Sequence, residues 1–140
     1  MGYSHHWRQY GDFNKWDALC THAKFLQDAI YPVVKLDDVE IDACNLCFDG
    51  APRCERFQLH RVKPDNSSWP GVRDRGYYLG FCKTQYNPYD LMVTSILLVA
   101  NALEPDTITY GSDGDKSGWI PAIDLVREIC LINAEFRPVN

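Results

Sequence analysis

Two stretches in the C-terminal half carry most of the side chains that can do chemistry. One is Lys83-Thr-Gln-Tyr-Asn-Pro-Tyr-Asp90, and the other is Ser112-Asp-Gly-Asp115 with Trp119 shortly after it. A lysine and hydroxyls at the start of a helix suit an anion, because the N–H groups of the first turn point out of the helix. Two carboxylates on one tight turn suit Mg²⁺ or Ca²⁺, which take oxygen ligands, or the donors of a ribose or an amine. The candidate ligand-binding set is therefore Lys83, Thr84, Tyr86, Asp90, Ser112, Asp113, Asp115 and Trp119. Several of these have an ordinary duty open to them. Asn87 and Asp90 can cap a helix, Asp113 can close its turn, and Asp115 can favour the next helix N-terminus. Lys83 and Tyr86 have no such duty. Neither stretch is a Walker loop or an EF-hand loop, since the glycine run of the first and the further acidic positions of the second are missing.

Cys44-x2-Cys47-x6-Cys54-x5-His60 has zinc-like spacing. Cys44 and Cys47 fall within a strand pattern, however, where residues three apart point to opposite faces. Buried inert thiols are the expectation, and no resident cofactor is expected. No nucleophile–base pair is evident. His5 and His6 lie near the start, His60 is on a strand, and His22 and Cys20 point to different sides of a helix. Trp69, with Arg73 and Arg75, can stack on a base or anchor a protein partner.

The elements that must position these groups follow from periodicity and punctuation. Residues 1–13 read as an irregular arm, whose His5, His6, Trp7, Tyr10 and Phe13 imply packing on this domain or on a second subunit. A single domain is expected over 14–140. A helix is expected over 14–30, capped by Asn14, with Trp16, Leu19, Cys20, Ala23, Leu26 and Ile30 on its apolar face. Strands are expected over 39–48 and 56–62, joined as a hairpin with an enlarged loop. Residues 63–76 form a long loop, and 77–83 a third strand. Asn87-Pro88 opens a helix that is apolar nearly all round, which predicts a central, buried position. A strand over 107–111 and an amphipathic helix over about 118–133, capped by Asp115 or Ser117, complete the chain. The fold class is α+β: a small mixed sheet, made of an antiparallel meander and a strand–helix–strand half, with about three helices mostly on one face. If the third and fourth strands are parallel neighbours, both chemistry-bearing loops lie at one sheet edge, where open α/β sheets bind ligands.

Composition narrows the function classes. The chain has 140 residues, a formal charge of −5 and 46% apolar residues, enough for one core. The acidic balance opposes sequence-independent nucleic-acid binding, which depends on Lys and Arg at phosphates. No run is long and apolar enough to span a bilayer, and the first residues lack a secretory leader. Six cysteines in that setting imply reduced thiols in a cytosol, without a disulfide framework.

Phe48-Asp-Gly50, Glu55-Arg-Phe57-x-Leu59-x-Arg61, Gly80-Phe-x-Lys-Thr84-x3-Pro-Tyr-Asp90-x2-Val-Thr94 and Ser112-Asp-Gly-Asp115-x3-Trp119 together resemble a group of small uncharacterised bacteriophage and prophage proteins. The resemblance covers roughly residues 40–130. It departs at Gln85-Tyr86-Asn87, where the group is more basic. It implies a phage accessory protein of the infected bacterial cytosol and carries no activity. The leading expectation is an oligomeric binding protein, with contacts at 63–76, 83–90 and 112–119, that engages a host protein or a small anionic ligand. One alternative is a metal-dependent hydrolase or nuclease using Asp90, Asp113 and Asp115, with Lys83 stabilising charge. Another is a virion or assembly component docked through its arm.

Overall fold

The computed structural model describes residues 3–65 and 76–139. The chain runs β1 (Ser4–Gln9), α1 (Trp16–Ile30), β2 (Leu36–Ile41), β3 (Asn45–Gly50), β4 (Phe57–His60), β5 (Tyr78–Lys83), α2 (Asp90–Leu103), β6 (Ile108–Ser112) and α3 (Lys116–Cys130). The strands form two antiparallel three-stranded sheets, ordered β5-β1-β6 and β2-β3-β4. The fold is α+β, as the sequence implies.

The start of the chain departs most from expectation. Ser4–Gln9 is no arm but the central strand of its sheet. It pairs with β5 (His5 opposite Cys82) and with β6 (His5 opposite Ser112). β5 and β6 therefore run in the same direction but are not neighbours, because β1 lies between them. The inward face of β1 carries Tyr3, His5, Trp7 and Gln9, all buried. Two of these are polar, so the strand alternates in burial without alternating cleanly in hydrophobicity.

The expected strand over 39–48 is two strands. Its break is made by Asp42, whose Oδ1 accepts from the N–H groups of Cys44 and Asn45 at 2.8 Å each. A side chain that bonds its own backbone two residues on makes a turn without glycine or proline. β3 and β4 form the expected hairpin, with Phe57 and Leu59 buried on its inner side.

α2 fills the centre. Met92 to Ala100 are all buried, and the helix packs on α1, α3 and β6. Fully burying one of its leucines contributes roughly 2 kcal/mol. Its start is not capped by Asn87: Tyr89 holds the cap position and makes no side-chain cap hydrogen bond. Asn14 does not cap α1 either. The α1 entrance is held instead by Glu104, whose carboxylate accepts from Asn14 N–H at 2.9 Å and Lys15 N–H at 3.0 Å. α3 is capped as expected by Asp115, which accepts from Ser117 and Gly118 N–H. Among the described residues, no helix is long and apolar enough to cross a membrane.

Candidate functional site

The two chemistry-bearing loops meet at one edge of the β5-β1-β6 sheet, and the start of β1 ties them together. Tyr3 C=O accepts from Thr84 N–H (3.0 Å) and Gln85 N–H (3.2 Å). On the other side, Ser4 C=O accepts from Asp113 N–H at 3.0 Å, and Ser4 N–H donates to Asp113 Oδ2 at 3.0 Å. Each loop is thus stitched to the strand that separates them.

Beneath this seam is a polar junction centred on His5, which is fully buried. Its Nε2 lies 2.6 Å from Asp90 Oδ1 and its Nδ1 lies 2.8 Å from Ser112 Oγ. Thr84 donates its hydroxyl to the same Asp90 oxygen at 2.6 Å. In the tautomer that gives Nε2–H to the carboxylate, Nδ1 accepts from the Ser112 hydroxyl. Asp90 and Thr84 come from the first loop and Ser112 from the second, so one imidazole bridges both. Asp90 is therefore an internal acceptor, and Thr84 is fully buried beside it. Both were expected at a ligand; both hold the interior.

Ser112, His5 and Asp90 stand in the order of an acyl-transfer triad. Sequence reading found no such pair, because it placed His5 on an arm. The geometry here is that of a structural junction saturated with hydrogen bonds. Ser112 Oγ also accepts from Gly114 N–H at 2.9 Å and Trp119 Nε1–H at 3.2 Å. An oxygen engaged on every side cannot meet a carbonyl carbon without breaking those bonds. The nearby backbone donors are committed as well. Asp113 N–H goes to Ser4, Gly114 N–H to Ser112, and Ser117 and Gly118 N–H to Asp115. None of these four is free to stabilise an oxyanion.

A column of rings runs from this junction to the surface. Tyr110 stacks on Trp119 (4.9 Å between centroids), Trp119 meets His5 edge-on (5.2 Å), and His5 meets Tyr3 edge-on (5.0 Å). Tyr86 then stacks on Tyr3 at 3.7 Å and 20°. Trp119 is fully buried and belongs to the core, not to a ligand contact. Tyr3 is 2% exposed, whereas Tyr86 is 73% exposed. Burial first, and then the Asp90 charge, push the Tyr3 hydroxyl pKa up to about 12, so it stays protonated. Gly114 makes room for this ring, since a Cβ there would lie 2.3 Å from the Tyr3 hydroxyl oxygen. Gln85 and Tyr86 both have left-handed backbone, with φ of 56° and 61°. Two successive non-glycine residues in that region are costly and concentrate at functional sites.

Beside Tyr86 is a cavity of about 290 Å³, lined by Tyr3, Tyr86, Asp113, Asp115 and the Gly114 and Gly118 backbones. Asp113 and Asp115 are exposed, and neither forms an ion pair among the described residues. Hydrogen bonds from Ser117 and then Gly118 hold the Asp115 carboxyl below its ordinary pKa. Lys83, Thr84, Asp90, Ser112 and Trp119 do not line the cavity. Lys83 is half-buried at the end of β5, and its N–H donates to Glu55 Oε1 at 2.7 Å. No protein-family model matches the chain, and no curated protein or solved structure matches it.

The remaining candidates fall elsewhere. Asp90, Asp113 and Asp115 do not form a metal-ligand group, nor do Cys44, Cys47, Cys54 and His60. Among the described residues, no three His, Cys, Asp or Glu are arranged to hold a metal ion. Asp90 turns inward to His5 while the other two carboxylates face the rim. Cys44 is exposed in the turn after β2, Cys47 is buried in β3, and burial raises the Cys47 thiol pKa. All six cysteines are free thiols. Trp69, Arg73 and Arg75 lie outside the described residues, as does most of the loop expected over 63–76. Sequence reasoning missed Tyr3 and His5. The signal for them was the period-two series Tyr3, His5, Trp7, Gln9.

Proposed function

We propose that this chain is a binding protein that engages a protein partner through the edge formed by the β5–α2 and β6–α3 loops. The observation that carries this reading is Tyr86. The ring is held outward by two left-handed residues and backed by a buried aromatic column, yet it is 73% exposed. An exposed aromatic on a rigid support loses little entropy on binding, and such residues dominate interface energetics. Solvent alone gives no reason to hold an aromatic ring in that backbone conformation.

The small anionic ligand expected from Lys83 has less support. The cavity beside Tyr86 carries two carboxylates, and Asp115 already occupies the N-terminus of α3. The resemblance to phage proteins favours a role in an infected bacterial cytosol, with a host protein as the partner.

A photo-crosslinking residue placed at Ser117 in infected or expressing bacteria tests the reading. A discrete adduct should form from position 117, and Tyr86→Ala should abolish it. The same residue at the exposed Val33 should give none. Equal adducts from both positions, or no effect of Tyr86→Ala, would refute the proposal.

A further inference from the structure

The sign and shape of the cavity say what the partner presents. The cavity is lined by an aromatic pair, Tyr86 stacked on Tyr3, and by Asp113 and Asp115. Asp113 gives only Oδ2 to Ser4, and Asp115 receives its cap bonds through Oδ1. One oxygen of each carboxylate is thus left without a hydrogen bond among the described residues. Among the described residues no cation pairs with either, even though Lys116 adjoins Asp115 in sequence. This arrangement is unlike the other acidic cluster, Asp37 and Asp38, which Arg53 neutralises at 2.8 and 2.7 Å.

From the aromatic platform and the uncompensated carboxylates together, we infer that the site takes an arginine side chain of the protein partner. A guanidinium lies flat over a tyrosine face, attracted by the ring quadrupole. Its forked N–H groups satisfy carboxylate oxygens in the plane. A volume of about 290 Å³ holds a guanidinium with part of its stem, not a folded peptide. An anion is disfavoured on every side. The carboxylates repel it, and the α3 N–H groups that would attract it already serve Asp115.

This inference rests on reading the edge as a binding surface, and one titration separates the two. Backbone amide NMR of the intact ¹⁵N-labelled protein is followed with N-acetyl-arginine amide, with the neutral isostere N-acetyl-citrulline amide, and with inorganic phosphate. The arginine probe should shift Tyr86, Gly114, Ser117 and Gly118 saturably, at least about tenfold more tightly than the citrulline probe. Tyr86→Ala and Asp115→Asn should each weaken it several-fold. The second variant keeps a side-chain cap on α3, so the fold is preserved. Equal binding of arginine and citrulline, or phosphate binding at these amides without arginine binding, would overturn the arginine assignment and leave the edge as a binding surface. If arginine binds only away from these amides while the crosslink from position 117 persists, the assignment falls and the edge reading stands. If the crosslink is also absent, both fall.

Discussion

β1 connects two histidines that share residue type and little else. At its start, His5 is fully buried with both ring nitrogens in short bonds, at 2.6 and 2.8 Å. Past its far end lies a wide groove of about 630 Å³, lined by Phe13, Cys44, Asn45, His60 and Arg61. There His60 is half-buried, with its Nδ1 3.2 Å from Asn45 Oδ1. Gln9, also on β1, donates to His60 C=O at 3.0 Å and so ties the groove to the same strand. The first region has the residue types of a catalytic triad, but its histidine is buried and its polar atoms are already bonded to one another. The second has access and only loosely bonded chemistry. Residue type alone therefore locates neither a structural nor a functional group; saturation of hydrogen bonds and exposure decide between them. The Tyr86 rim combines the two properties, since it is open at the top and rigid underneath.

The sharpest way to break this contrast is to delete one member of each layer. His5→Ala leaves the half-buried Asp90 and Ser112 without their buried bridge and should cost about 3 kcal/mol in urea unfolding. Tyr86→Ala should stay within about 0.5 kcal/mol, as exposed substitutions do. A His5 variant as stable as the parent would show that the junction does not hold the loops.

Glu104 comes next. Glu104→Ala frees the N–H groups of Asn14 and Lys15 at the α1 entrance, a loss of about 1–2 kcal/mol, comparable to losing a cap. Wild-type stability in that variant would mean water replaces the carboxylate without loss.

The smallest expected effect is at His60. Burial lowers its pKa in the folded state. The unfolded state then binds more protons, so His60 contributes its stability fully above the unfolded value of about 6.5 and loses it as pH falls through the lower folded value. His60→Gln should make the acid side of the stability–pH curve shallower. An unchanged curve would place His60 in a solvent-like environment.

How much of this was legible in sequence follows from where each determinant lies. α2 was legible because apolar residues all round a helix have only one stable place. The Asp115 cap was legible because turn chemistry is local, whereas the meeting of the two loops was only conditional on β5 and β6 being neighbours, and it is β1 between them that brings it about. Three determinants were not. β1 hides behind inward-facing His5 and Gln9, which a hydrophobicity pattern counts as polar. The β2–β3 turn depends on the Asp42 side chain, in a stretch without glycine or proline. The α1 cap comes from Glu104, ninety residues from Asn14. The candidate site shares the problem. Its exposed half comes from two short stretches, Tyr86 and residues 113–118, while His5 and Tyr3 reach it only through a strand pairing that no local pattern encodes.

The central claim is that the Ser112–His5–Asp90 junction is bond-saturated and structural, with recognition on the rim above it. Intact-protein mass spectrometry after treatment with a fluorophosphonate, which labels activated serines, tests it most directly. The account predicts an unchanged mass. An adduct mapped to Ser112 and lost in His5→Ala would contradict it and make the junction a working nucleophile.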